Sequence, residues 1–256
     1  NTNDIKEGDI IVSTDGEGYL RRVAKVEKAG GEVTVKTEFV SLDQVIENGG
    51  FSIEEQLTQN KIDKVVYYKK GVKVDTSFAK SPEELDIYSD IDIYLDPGEN
   101  IHLTGTFQMN PTLTMEYNIN WFELDYLEFG AGVEEQLQLD ADLNLEDIND
   151  EHETELAGIY FTPILVQVGP VPVVITPVVL IKAGVQYNLE TNVFTSLNQQ
   201  LNYETGIVYN GEWEPYSNLQ KSFSFNPPQL NATATAKAYL KPEFHLKIYG
   251  TISPKL

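Results

Sequence analysis

The stretch GIYFTPILVQVGPVPVVITPVVLIKAGV, residues 158–185, decides how this chain is read. It is the most apolar run in the protein. Two similar pieces, TPILV at 162–166 and TPVVL at 176–180, flank a Gly169-Pro170-Val171-Pro172 centre. About 20 apolar residues suffice for a helix to cross a bilayer. Yet Pro163, Pro170, Pro172 and Pro177 would each remove a helical hydrogen bond and clash with the preceding turn. Val, Ile and Tyr favour extended chain. The run therefore predicts two strands buried on both faces, joined at the Gly-Pro-Val-Pro bend, and no transmembrane span. Proline is confined to sheet edges and bulges. Part of this hairpin is thus expected at an edge, where Pro163, Pro170, Pro172 and Pro177 mark a place for self-association by strand addition.

Outward from that hairpin the pattern has period two. Ile87, Ser89, Ile91, Ile93 and Leu95 alternate with acids and tyrosines. Ile101, Leu103, Gly105, Phe107 and Met109 alternate next, and Asn110-Pro111 reads as a break. Leu113, Met115, Tyr117, Ile119 and Trp121 resume the alternation, and Leu137, Leu139, Ala141, Leu143 and Leu145 repeat it. Asn210-Gly211 is a hairpin turn signal. Ala232, Ala234, Ala236 and Ala238 give a small-residue face. This is the mark of antiparallel sheet with one buried face. The fold expected is all-β: a large antiparallel β-sandwich-like domain of long strands over residues 76–256, with a closed barrel as the alternative.

Residues 1–75 read as a small β-rich N-terminal module with one or two short helices. Strands are expected at 9–13, 19–28 and 32–37, with turns at Asp15-Gly16 and Gly30-Gly31. Ser41 with Gln44 forms a capping-box pattern before a helix at 42–47, and Ser52 with Glu55 before a second at 52–59. The segments Gly8-Asp9-Ile10-Ile11-Val12, Gly18-Tyr19-Leu20-Arg21-Arg22-Val23, Val33-Thr34-Val35-Lys36-Thr37 and Leu42-Asp43-Gln44-Val45 resemble an N-terminal module of large secreted surface proteins of bacteria and archaea. That resemblance covers under a third of the chain. It implies an extracellular or cell-surface setting and carries no catalytic motif.

The net charge of −22 over 256 residues is unevenly spread. Residues 1–80 hold 12 Lys/Arg and 14 Asp/Glu, whereas residues 81–256 hold 6 and 26. Such a surface repels phosphate backbones, which argues against nucleic acid as a partner. The absence of cysteine excludes disulfides and thiolate metal sites. The first residues, Asn1-Thr2-Asn3-Asp4, carry no signal peptide and read as a processed mature start.

Two acidic groups have oxygen-ligand spacing for Ca2+. Asp140, Asp142 and Asn144, with Glu151 at the twelfth position, mimic a calcium loop, but Leu145 stands where that loop needs glycine. Asp147, Asp150, Glu151 and Glu153 fall in a segment expected to be a surface loop, free to wrap an ion. No cofactor is otherwise required. Asn231-Ala232-Thr233 is a glycosylation sequon. The histidines His102, His152 and His245 are scattered, and no HExxH, GxSxG or phosphate loop occurs. Glu123 and Asp125 beside Trp121 and Tyr126 are the best carboxylate pair for a glycoside hydrolase.

These features favour a non-catalytic extracellular structural or surface protein: a fibre or surface-layer subunit whose copies join by β-strand pairing. The alternatives are a binding module for an apolar ligand or a polysaccharide, and, more remotely, a carboxylate-dependent hydrolase.

Overall fold

A computed structural model describes residues 4–75, 86–95, 100–143, 148–189, 193–226 and 235–255. The protein is all-β with antiparallel pairing, and its described residues are arranged in three sheets. The smallest contains β1 (Ile10–Ser13), β2 (Tyr19–Ala29) and β3 (Glu32–Phe39).

The seven-stranded sheet is built on two very long strands, β8 (Ile101–Asn120) and β9 (Glu123–Leu143). On β9 lies β13 (Val193–Tyr209), and then β14 (Trp213–Asn226) as the last strand. The other side of β8 is shared by β7 (Ile87–Tyr94) and β4 (Asn48–Gln56). β6 (Val72–Val74) pairs with β7.

The six-stranded sheet is centred on β12 (Val171–Leu189). One side of β12 carries β15 (Thr235–Ile248), followed by β16 (Thr251–Lys255). Its other side is shared by β10 (Ile148–Phe161) and β11 (Ile164–Val168), and β10 in turn holds β5 (Ile62–Tyr67). β4, β5 and β6 all precede residue 75 and are hydrogen-bonded to strands that follow it.

Both large sheets contribute to one apolar cluster. Phe107, Met109, Leu113 and Leu137 come from the seven-stranded sheet, and Ile159, Phe161, Val173 and Ile175 from the six-stranded one. Burying this much apolar surface is the dominant favourable term in folding.

The run at 158–185 forms the end of β10, then β11, a Gly169-Pro170 turn and the first part of β12. Four sequence expectations need correction. Residues 52–59 are not a helix: they lie mostly in β4, where Phe51 stacks on Tyr117 of β8 with centroids 5.8 Å apart. Residues 42–47 give only a 3-10 turn at Leu42–Gln44, although the Ser41 amide does donate to the Gln44 side chain. Six residues ending at Asn48-Gly49-Gly50 are too few for a nucleated helix to outweigh pairing with β8. The acidic stretch expected as a loop is strand from Ile148 onward, because β12 offers it a ladder from Leu189 to Val178, interrupted only by a register shift between Glu155 and Ala157.

The fourth correction concerns proline. Asn110-Pro111 does not break the strand, and β8 runs through it. Pro111 lies where β7 ends (opposite Met109) and β4 begins (opposite Thr112), so no neighbour on that side needs its missing donor. Pro177 does the same in β12. Opposite it, β10 stops at Tyr160 and β11 resumes at Ile164. Pro172 and Pro242 lie beyond the ends of β15 and β16 respectively.

Candidate functional site

The most distinctive surface is the open edge formed by β14. It is 14 residues long, whereas among the described residues the edge strands β1, β3, β4, β5, β6, β11 and β16 have three to nine, and the part of β15 that β16 leaves open, Thr235–Phe244, has ten. Short or charged edges resist pairing with other chains; long, flat, uncharged ones invite it. The sequence of β14, WEPYSNLQKSFSFN, contains only Glu214 and Lys221 as charged residues, so it is neutral in a chain of charge −22. Among the described residues no strand lies beyond it.

Local chemistry fixes β14 firmly to the sheet. The Tyr216 ring covers Gly206 of β13 and Gly130 of β9, and a Cβ at either glycine would collide with it. The Tyr216 hydroxyl donates to Glu128 Oε1 at 3.1 Å, while Tyr126 donates to Oε2 at 2.9 Å. Burial, then the Glu128 hydrogen bond and charge, push the Tyr216 phenol up to about 12. An aromatic ring laid across a strand glycine replaces the packing that glycine lacks.

The inner face near this edge is incompletely covered. Leu219 opposes Tyr203 and remains 49% exposed, while Tyr203 and Ile207 are only partly buried against the core. At the hairpin end, Trp213 is half exposed, with its ring 5.0 Å from Tyr209. The edge therefore combines free backbone groups with an apolar strip.

Pro215 determines which backbone groups are free. It is opposite Ile207 and has no N–H, so that pair cannot exchange hydrogen bonds. Adjacent residues then bond to β13, and Pro215, Ser217, Leu219 and Lys221 direct their backbone groups to the open side.

The sequence-derived sites are dispersed. Asp140 and Asp142 stand exposed on the outer face of β9, opposite Thr104 and His102 of β8. Asp92 lies on the same face and holds His102 Nε2 at 2.7 Å, with Tyr94 stacked on that imidazole at 4.4 Å. Glu153 is exposed and accepts the Tyr239 hydroxyl at 3.1 Å. Asp150 and Glu151 lie in β10 opposite Tyr187 and Gln186. Asn144, Asp147 and Asn231 fall outside the described residues, as do the side chains of Asp150 and Glu151. Among the described residues no group of three or more His, Asp or Glu side chains could hold a metal ion. Pro163 and Pro170 are exposed at the ends of β11, and Pro172 and Pro177 lie in β12. Asp125 accepts Asn118 Nδ2 at 3.1 Å, and Trp121 is exposed at the β8–β9 turn.

Sequence reasoning missed Glu135, which lies on the buried row of β9 between Val133 and Leu137. Its Oε1 accepts Gln199 Nε2 at 2.8 Å, and Oε2 has no hydrogen-bond partner. Burial pushes its carboxyl up to about 7 against the opposing pull of Gln199. The signal was present: an acid at a position where the alternation calls for an apolar residue. A second buried acid, Glu243, is neutralised on the outer face of the six-stranded sheet by Lys182 at 3.1 Å and bonded to His245 at 2.8 Å.

Among the described residues no helix is long and apolar enough to cross a membrane. No protein-family model matches the chain, and the search of curated proteins found no significant match.

Proposed function

We propose that this protein is a non-catalytic structural subunit of an extracellular or cell-surface assembly. Its two large sheets stack as a sandwich around the common core, and copies join by β-strand pairing. The observation that carries the reading is β14, an open, 14-residue, charge-neutral edge on a strongly acidic chain. Acidic surfaces repel one another, so a neutral strip restricts where two copies can meet. The resemblance of the N-terminal segment supports the extracellular setting, and the reading invokes no cofactor.

Light scattering after size exclusion, over a wide concentration range, tests it. The expected result is a multimer that tightens as ionic strength rises from about 0.01 to 0.15 M, because salt screens the mutual repulsion. A strict monomer at the highest concentration overturns the reading.

A second reading, polysaccharide binding, has one observation in its favour. The outer face of the seven-stranded sheet holds an open depression of about 540 Å3 whose lining includes Gln136, Gln138, Asn198 and Gln200, with Tyr88 also on its wall. Amides and an exposed aromatic ring suit neutral sugars. Retarded migration in gels containing soluble neutral polysaccharides is the expected outcome for this reading, and unchanged migration removes it.

A further inference from the structure

We propose that β14 pairs antiparallel with β14 of a second copy, about a two-fold axis at Leu219, and that this contact closes at two copies. The inference rests on the strand-pairing reading above and specifies its partner and register. Three observations lead to it.

The first is the shortage of other long edges. A filament built by strand addition needs two different complementary edges, one at each end of the subunit. Among the described residues the other edge strands have nine residues or fewer. The part of β15 that β16 leaves open (Thr235–Phe244) has ten and carries Lys237, Lys241 and Glu243, and β3, β4, β5 and the open part of β10 carry charges along them. β14 has only itself as an edge of matching length, and pairing a patch with its own copy is isologous and closes.

The second is the direction of the backbone groups. Pro215 turns the donors and acceptors of residues 217, 219 and 221 outward. A two-fold axis at Leu219 sets Leu219 opposite its own copy, Ser217 opposite Lys221, and Pro215 opposite Phe223. This register overlaps about 13 residues and forms about 12 backbone hydrogen bonds, against roughly 10 in a typical interface. Shifting the axis by one residue to Gln220 keeps the same groups facing but loses about two of those bonds.

The third is the side chains. Leu219 is half exposed beside Tyr203, on the face that leads into the core. The axis joins the two apolar strips into one, Tyr203–Leu219 meeting Leu219–Tyr203. No acid faces an acid: Glu214 falls opposite Ser224. The pairing thus avoids the repulsion that the remaining surface of this acidic chain would generate.

Because the chain has no cysteine, single replacements report the register directly. Leu219→Cys should oxidise to a covalent dimer, since hydrogen-bonded opposite residues have Cα atoms about 5.5 Å apart, within disulfide range. Ser217→Cys should not cross-link to itself, its copies being about 14 Å apart, but should cross-link when mixed with Lys221→Cys. A non-covalent dimer that fails to cross-link at Leu219, or that cross-links in another pairing, overturns the register and leaves the strand-pairing reading standing. A monomer at every concentration overturns both. Filaments retained in the Leu219→Cys covalent dimer overturn closure. Ser217→Pro removes one outward donor without touching the ladder to β13. It should leave the unfolding curve nearly unchanged and weaken dimerisation at least tenfold, and unweakened dimerisation would count against the edge.

Discussion

β8 and β12 are built to the same plan. Each is a central strand of about 20 residues, with a single partner along one side and two collinear partners sharing the other. Each carries a proline at the seam between the collinear partners, Pro111 in β8 and Pro177 in β12. They differ in their second face. β8 alternates buried and partly exposed residues along nearly its whole length. In β12 every residue from Val173 to Val179 is buried. The three-stranded sheet accounts for part of the difference. Gly18 approaches Val174 so closely that a Cβ there would lie 2.7 Å from its Cγ2. At the neighbouring β15–β16 turn, Tyr249 donates to the Pro172 carbonyl at 2.5 Å. An alternating sequence therefore reports one covered face, and a continuous apolar run reports two only in β12: β11, expected from the same run to be buried on both faces, leaves Leu165 59% exposed.

The largest expected effect tests this directly. Val174→Asp places a charge between β12 and the small sheet and should cost about 3–5 kcal/mol. Thr106→Asp, on the exposed face of β8, should change stability by less than about 0.5 kcal/mol. Equal losses in urea unfolding would show that the second face of β12 is not covered. Moving a proline one residue off its seam comes next. In Val178→Pro and Thr112→Pro the lost donor faces β15 and β9 respectively, because adjacent residues point their amides to opposite sides. Each should cost about 3 kcal/mol by orphaning a carbonyl and forcing the ring into the ladder. A neutral result at either position would break the seam argument.

The buried carboxyls sharpen the comparison. Glu243 lies opposite Leu180 of β12 and has Lys182 beside it; Glu135 lies opposite Met109 of β8 and has only Gln199. The carboxyl of Glu135 is raised from 4.5 to about 7 in the folded protein. Below pH 4.5 both folded and unfolded forms hold the proton, and no penalty arises. Above that, the folded state binds more protons than the unfolded one, so stability falls as pH rises and the loss is complete above about 7. Glu135→Gln keeps an acceptor for Gln199 and removes the titration. It should gain about 3 kcal/mol at pH 8 and nothing at pH 4. An equal gain at both pH values would assign the effect to packing.

Much of this architecture was legible. Period-two alternation located β7, β8 and β9, and the apolar run with its Gly-Pro bend located β11 and β12. Two further features were hidden because proline and short polar segments mean different things in different surroundings. Pro111 looks like a terminator until the junction of β7 and β4 is seen beside it. Residues 52–56 satisfy a helix-start pattern, yet β8 offers them a ladder that a short isolated helix cannot match. The edge was hidden for another reason. Nothing in WEPYSNLQKSFSFN says that β13 lies on one side and, among the described residues, no strand on the other. Position within a sheet is a property of the whole topology.

The smallest effect concerns the turns that end β8 and begin β12. The β12 turn uses Gly169-Pro170, with Gly169 at φ +57°. Glycine at the first central position is what a type II′ hairpin turn favours. The β8 turn uses Trp121-Phe122 at φ +53° and +60°, where Asn-Gly is preferred. Both aromatic residues are largely exposed, at 72% and 49%. Little burial therefore offsets the left-handed backbone, which costs bulky residues about 1 kcal/mol or more each. The turn is held instead by its amides: Trp121 donates to Asn48 Oδ1 at 3.2 Å and Phe122 to the Glu47 carbonyl at 3.0 Å. Both bonds survive a change of side chain. Trp121→Asn with Phe122→Gly should thus raise stability by about 1 kcal/mol, while Gly169→Ala in the other turn should lower it by a similar amount. If the Asn-Gly variant is instead less stable, the aromatic side chains hold the tip, and the strain is offset by contacts to β4 rather than tolerated.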